Sequence, residues 1–150
     1  MMDEEQDLLS RMLDLTSQGY ACSQILLILA MEYTGEENSG VVRAMSALNE
    51  GMCGTGKLCG CLTGGSCLLG YFAGKGLDPE EMENPMFRNM VVEFNQWFDE
   101  TWGQEFGGMN CDDLLENNLA NRMMRCPQIV ESSFAKCMEL LEENGCLEEY

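Results

Sequence analysis

A chain of 150 residues with 26 acidic and 8 basic side chains carries a formal net charge of −18. Phosphate backbones and anionic membranes both demand clustered Lys and Arg, so nucleic acid and membrane surfaces are excluded as expected partners. No histidine is present, which removes Ser-His and Cys-His catalysis, HExxH zinc hydrolysis and His-ligated haem; nine cysteines remain as the carriers of site chemistry.

The length suits one domain with a real hydrophobic core. Apolar periodicity reads as helix nearly throughout. Residues 4–17 carry Leu8, Leu9, Met12 and Leu13 on one face, and Gly19 ends that helix. A second helix runs from about Tyr20 to Tyr33 and reads as buried on most sides. After a polar turn at Gly35–Asn38, Ser39 caps a third helix with Val41, Val42, Met45 and Leu48. Gly51–Lys57 reads as a loop. A fourth helix from about Cys59 to Gly74 holds five glycines, each costing about 1 kcal/mol against alanine unless another backbone must come close.

Asp78-Pro79 reads as a helix start, and Asn84-Pro85 as the start of a long helix to about Trp102. The stripe Met86, Phe87, Met90, Val91, Phe94, Trp97 and Phe98 on the latter is core. Gly103–Met109 reads as a loop, and Asn110 caps a short helix through Leu114 and Leu115. Cys126-Pro127 starts the last helix, with Val130, Phe134, Met138 and Leu141 inward, and Asn144-Gly145 stops it. The expected fold is all-α: a single-domain bundle, residues 1–150, of about six to seven helices. The acidic opening Met1-Met2-Asp3-Glu4-Glu5 has neither the basic start nor the apolar run of a secretory signal. The uncharged stretch Cys59–Gly74 is too short and glycine-rich to span a membrane. A cytoplasmic location follows, where thiols stay reduced.

No Cys-x-x-Cys occurs, so position must carry the argument. Cys22, Cys59, Cys111 and Cys126 all fall in or just before the first turn of a predicted helix. Unpaired N–H groups and the positive end of the dipole favour the thiolate there. From Asn38 to Leu77, Arg43, Lys57 and Lys75 oppose Glu50 alone, and Arg122 and Arg125 precede Cys126. That field also favours thiolates or an anionic metal–sulfur centre. Cys61 and Cys53 lie close to Cys59 in sequence, and either could add a ligand or a resolving thiol. Cys67 and Cys137 read as core; Cys146 packs or dangles past the final glycine. The thirteen methionines sit on apolar stripes as core filling.

At these residues the chain resembles the C_GCAxxG_C_C family, small redox-active proteins named for four cysteines and a Cys-Gly-Ala-x-x-Gly motif. Gly19-Tyr20-Ala21-Cys22 before an apolar helix resembles the first cysteine, and Cys59-Gly60-Cys61-Leu62-Thr63-Gly64 the central motif. Phe106-Gly107-Gly108-Met109-Asn110-Cys111 resembles the third element, and Cys126 with Val130 the fourth. The likeness covers about residues 18 to 130. In two respects the chain departs from it: the motif's alanine is Cys61, and Cys53 lies outside the four cysteines. The resemblance implies a metal or redox role with no defined reaction; a related domain accompanies a multihaem cytochrome and is associated with an iron centre.

The first functional expectation is a metal centre on Cys22, Cys59, Cys111 and Cys126, with Cys61 or Cys53 as further candidates. An iron–sulfur cluster leads among cysteine-bound metals, for electron transfer or redox sensing. Two alternatives stand beside it. One is a metal-free thiol–disulfide protein with, for example, Cys59 or Cys61 as nucleophile; the other is a structural zinc module that binds a partner. Whether the chain is an enzyme, which redox partner it meets and its oligomeric state, a homodimer included, are left open by the sequence.

Overall fold

The computed structural model describes residues 4–147, and the acidic opening, residues 1–3, lies outside them. Among the described residues every named element is helical. Seven α-helices of five residues or more follow in order: α1 (Glu4–Ser17), α2 (Cys22–Thr34), α3 (Ser39–Met45), α4 (Gly60–Ala73), α5 (Phe87–Phe98), α6 (Cys111–Leu115) and α7 (Arg122–Glu143). The all-α expectation holds.

The glycine-rich α4 sits at the centre, and its glycines explain how. A Cβ on Gly64 would lie 2.8 Å from Ser23 Cα of α2. On the other side, a Cβ on Gly65 would lie 2.5 Å from the Phe94 ring of α5 and 3.2 Å from Cys137 Sγ of α7. Bare backbone thus lets three helices close on α4. Leu68 and Leu69 complete the contact, and Leu26, Leu27, Phe94, Phe98, Leu140 and Leu141 surround them, all fully buried.

Several boundaries differ from the sequence expectation. Asn38, not Ser39, caps α3: its side-chain oxygen accepts from Val41 N at 3.1 Å. Between α3 and α4 the chain makes a 3-10 turn and then a left-handed run from Glu50 through Gly54. Asp78-Pro79 starts no helix. Pro85 disfavours helical backbone at Asn84, leaving too few residues to repay nucleation. The segment's carbonyls turn instead to the Lys75 ammonium, which donates to Asp78 O at 3.0 Å and Pro79 O at 2.9 Å.

The α5 rod continues through a π-turn, Asp99–Gly103, and through Gln104–Phe106. It ends at Gly107 (φ +82°), four residues later than expected. The last helix begins earlier than expected. A 3-10 turn at Leu119–Asn121, capped by Asn118, leads into α7 at Arg122. Cys126 therefore lies in the second turn and Pro127 inside the helix, so the helix-start placement of Cys126 is corrected. No helix among the described residues is long and apolar enough to cross a membrane.

Candidate functional site: a cysteine-lined cavity

Two crossing backbone segments build the floor of the site. Cys59 N donates to Met109 O at 3.0 Å, and Cys111 N donates to Lys57 O at 2.7 Å. Leu58 and Asn110 pair between them as an isolated antiparallel bridge. This pairing sets Cys59, the N-cap of α4, beside Cys111, the first residue of α6. Gly51 makes the crossing possible. Its φ is +69°, and a Cβ there would lie 2.6 Å from Lys57 O and 2.7 Å from Cys111 Cβ.

Cys22 arrives as the first residue of α2. The Ser23 hydroxyl donates to Met45 O at 2.8 Å, and Asn49 Nδ2 donates to Gln24 Oε1 at 3.0 Å. These bonds tie the start of α2 to the 45–50 segment. The Cys22 sulfur lies directly on Gly60, where a Cβ would come within 2.4 Å of it. Residue 60 is glycine because the Cys22 sulfur occupies the space of a side chain.

The result is a half-open cavity of about 380 Å³, lined by Cys22, Cys59, Cys61, Cys111 and Cys126. Leu9, Met12 and Leu13 of α1 and Ile129 and Val130 of α7 form apolar walls, and Arg122 and Glu50 also line it, bridged at 3.4 Å. Of the cations noted in the sequence, Arg122 alone lines it. Lys75 serves a remote loop, and the Arg125 guanidinium lies 4.4 Å over the Phe106 ring and donates to Leu114 O at 2.7 Å.

A model of the family described as "Putative redox-active protein (C_GCAxxG_C_C)" matches residues 20–140. The chain belongs to the C_GCAxxG_C_C family. No curated protein and no solved structure matches it. The family span takes in all five cavity cysteines and leaves out α1, which supplies one apolar wall.

The C_GCAxxG_C_C cavity does not treat its thiols alike. Cys22 is lowered from its ordinary 9.0 to about 7, first because the Cys61 thiol hydrogen-bonds it, and then because the backbone N–H groups of Glu50 and Ser23 do. Burial and the Glu50 carboxylate oppose this without prevailing. Cys61 is pushed well above the ordinary value, by its hydrogen bonds to Cys22 and Cys59 and by burial. Cys59 Sγ accepts in turn from Cys61 N at 3.4 Å, capping α4. Burial, followed by the neighbouring Cys59 and Cys22, raises Cys111 to about 11 and Cys126 to about 12, with Arg122 pulling the other way in both. The thiolate expected at the helix starts is thus realised at Cys22 and overturned at Cys111, where loss of water outweighs the dipole, while Cys126, beyond the first turn of α7, is raised first by burial.

The remaining cysteines lie elsewhere. Cys53 is exposed, at φ +58°, and does not line the cavity. Cys67, read as core, is exposed. Cys137 is fully buried as expected, its thiol donating to Gly65 O at 3.5 Å. Cys146 accepts from Asn84 Nδ2 at 3.3 Å. Among the described residues, no three His, Cys, Asp or Glu side chains are grouped closely enough to hold a metal ion. As placed, the cavity holds the Cys22 sulfur, the Cys61 thiol hydrogen-bonded to it, and Cys59, Cys111 and Cys126 around them.

Proposed function

We propose that the cavity is a thiol redox site in which the Cys22 thiolate attacks a disulfide, with no metal required. One observation carries this reading: the Cys22 anion is stabilised by the Cys61 thiol and two backbone N–H groups. With an acidity near 7, about half of Cys22 is thiolate at neutral pH, and the thiolate is the attacking species. Attack on one sulfur of a disulfide forms a mixed disulfide on Cys22 and releases the other half as a thiolate. The apolar walls favour a substrate that is small or presents an apolar group.

A second reading has its own support. Cys22, Cys59, Cys111 and Cys126 line one space, and Cys126 is raised first by burial and then by its three neighbours, a repulsion that a cation would offset. All-cysteine ligation suits an iron–sulfur centre, and equally zinc. It requires the thiols to draw closer together than they stand. Anaerobic purification followed by metal and acid-labile sulfide analysis tests both. Absence of stoichiometric metal, with Cys22 the fastest-alkylated cavity thiol at pH 7, supports the thiol site. Iron with labile sulfide supports the cluster, and zinc alone the structural module.

A further inference from the structure

Cys61 is a further sulfur lining the cavity, two residues after Cys59 in the run Cys59-Gly60-Cys61. It is buried at 2 % exposure on the first turn of α4 and hydrogen-bonds both Cys22 and Cys59. Gly60 lets the Cys22 sulfur rest on the α4 backbone immediately beside it. Cys59 is the poorer mate for Cys61. The Cys59 sulfur is already engaged as the cap of α4, accepting from Cys61 N at 3.4 Å.

We propose that Cys61 is the resolving thiol of this site, closing a Cys22–Cys61 disulfide once Cys22 has captured half of a low-molecular-weight disulfide. The proposal rests on Cys22 being the nucleophile. The Cys22 thiolate attacks R–S–S–R, forming Cys22–S–S–R and releasing RS⁻. Cys61 gives up its proton to that RS⁻ and attacks the Cys22 sulfur, breaking the mixed disulfide and releasing the second RS⁻, which takes a proton from water. Two protein thiols are oxidised and one external disulfide is reduced to two thiols. The proton that stabilises the Cys22 anion before the first step is the one Cys61 sheds for the second.

Cystamine, a small cationic disulfide suited to an acidic chain, is the probe. The reduced full-length protein and Cys61→Ala are incubated with it anaerobically, quenched in acid and mapped by peptide mass spectrometry. Circular dichroism checks that the variant folds. Wild type is expected to show a transient cysteamine adduct on Cys22 followed by a Cys22–Cys61 linked peptide. In Cys61→Ala the adduct on Cys22 should live at least about ten-fold longer. Resolution of the adduct at the wild-type rate in Cys61→Ala, or a wild-type linkage from Cys22 to Cys59, Cys111 or Cys126, overturns the assignment of Cys61 while leaving Cys22 as nucleophile. Absence of any adduct or linkage on Cys22 in wild type overturns both. If the variant does not fold, the wild-type time course and its linked peptide decide alone.

Discussion

Replacing Gly64 with alanine tests the packing that brings Cys22 to α4. The added Cβ would lie 2.8 Å from Ser23 Cα, 3.0 Å from Ser23 Cβ and 3.3 Å from Leu26 Cδ1. The nearest obstacle is backbone, so α2 must move, at an overpacking cost of about 2–3 kcal/mol. Alanine returns about 1 kcal/mol through helix propensity. The net loss is about 1–2 kcal/mol, or about 2–8 °C in Tm for a chain of this size. Gly70→Ala on the same helix is the matched control. Its Cβ would meet the Phe87 ring at 3.7 Å, an ordinary contact. Propensity then dominates, and Tm should rise by about 1–4 °C. Thermal melts followed by far-UV circular dichroism read both. Movement of α2 should also lift the Cys22 sulfur off Gly60, so Gly64→Ala should slow Cys22 alkylation at pH 7 while Gly70→Ala leaves it unchanged. A rise in Tm for Gly64→Ala, or shifts of the same sign in both variants, would refute the close-approach argument.

Alkylation by iodoacetamide against pH, resolved by peptide, should give a midpoint near about 7 for Cys22 and near 11 and 12 for Cys111 and Cys126; a Cys22 midpoint at its ordinary 9.0 would remove the thiolate. Because Cys111 and Cys126 are raised in the folded state, the stability they contribute is complete below pH 9 and is lost as pH climbs toward 11–12. Urea midpoints should fall across that window, and less steeply in Cys126→Ala. Cys22 has the opposite sign: its contribution is complete above pH 9 and is lost as pH falls through about 7. Cys137→Ala should cost about 1 kcal/mol in urea unfolding, from a lost core sulfur and its bond to Gly65 O, without altering the Cys22 alkylation rate.

Much of this could be read from residues alone, where one local signal settles one local structure. The run Leu8, Leu9, Met12 and Leu13 predicted α1 and its end at Ser17, and the placements of Cys22, Cys59 and Cys111 at helix starts followed from neighbouring glycine and asparagine. The misses arise where a local signal competes with a distant one. Cys126-Pro127 has the form of a helix entry, but the entry is made upstream by Asn118, whose side chain accepts from Ala120 N. Pro79 lost its helix to Pro85 and Lys75. Cys67 was misplaced because a helix of glycines and small residues shows no clear inward face in its sequence. The dipole at a helix start is visible in sequence, whereas the burial that overrode it at Cys111 is a property of the assembled cavity. Cys61 could be noticed as an extra sulfur beside Cys59, but its partner across the fold could not.

The acidity of Cys22 has a consequence for how this molecule reports its own integrity. Cys61, Glu50 and Ser23 confer that acidity only when the fold assembles them around it. If the chain opens, Cys22 reverts toward 9.0, and at pH 7 its anion falls from about one half to about one part in a hundred. Cys137 does the reverse: sealed at 0 % exposure in the native state, it meets reagent only when the core opens. One electrophile at one pH therefore meets two cysteines that answer the same event in opposite directions. The ratio of their labelling is a gauge of the opened fraction, carried within a single polypeptide and independent of reagent concentration.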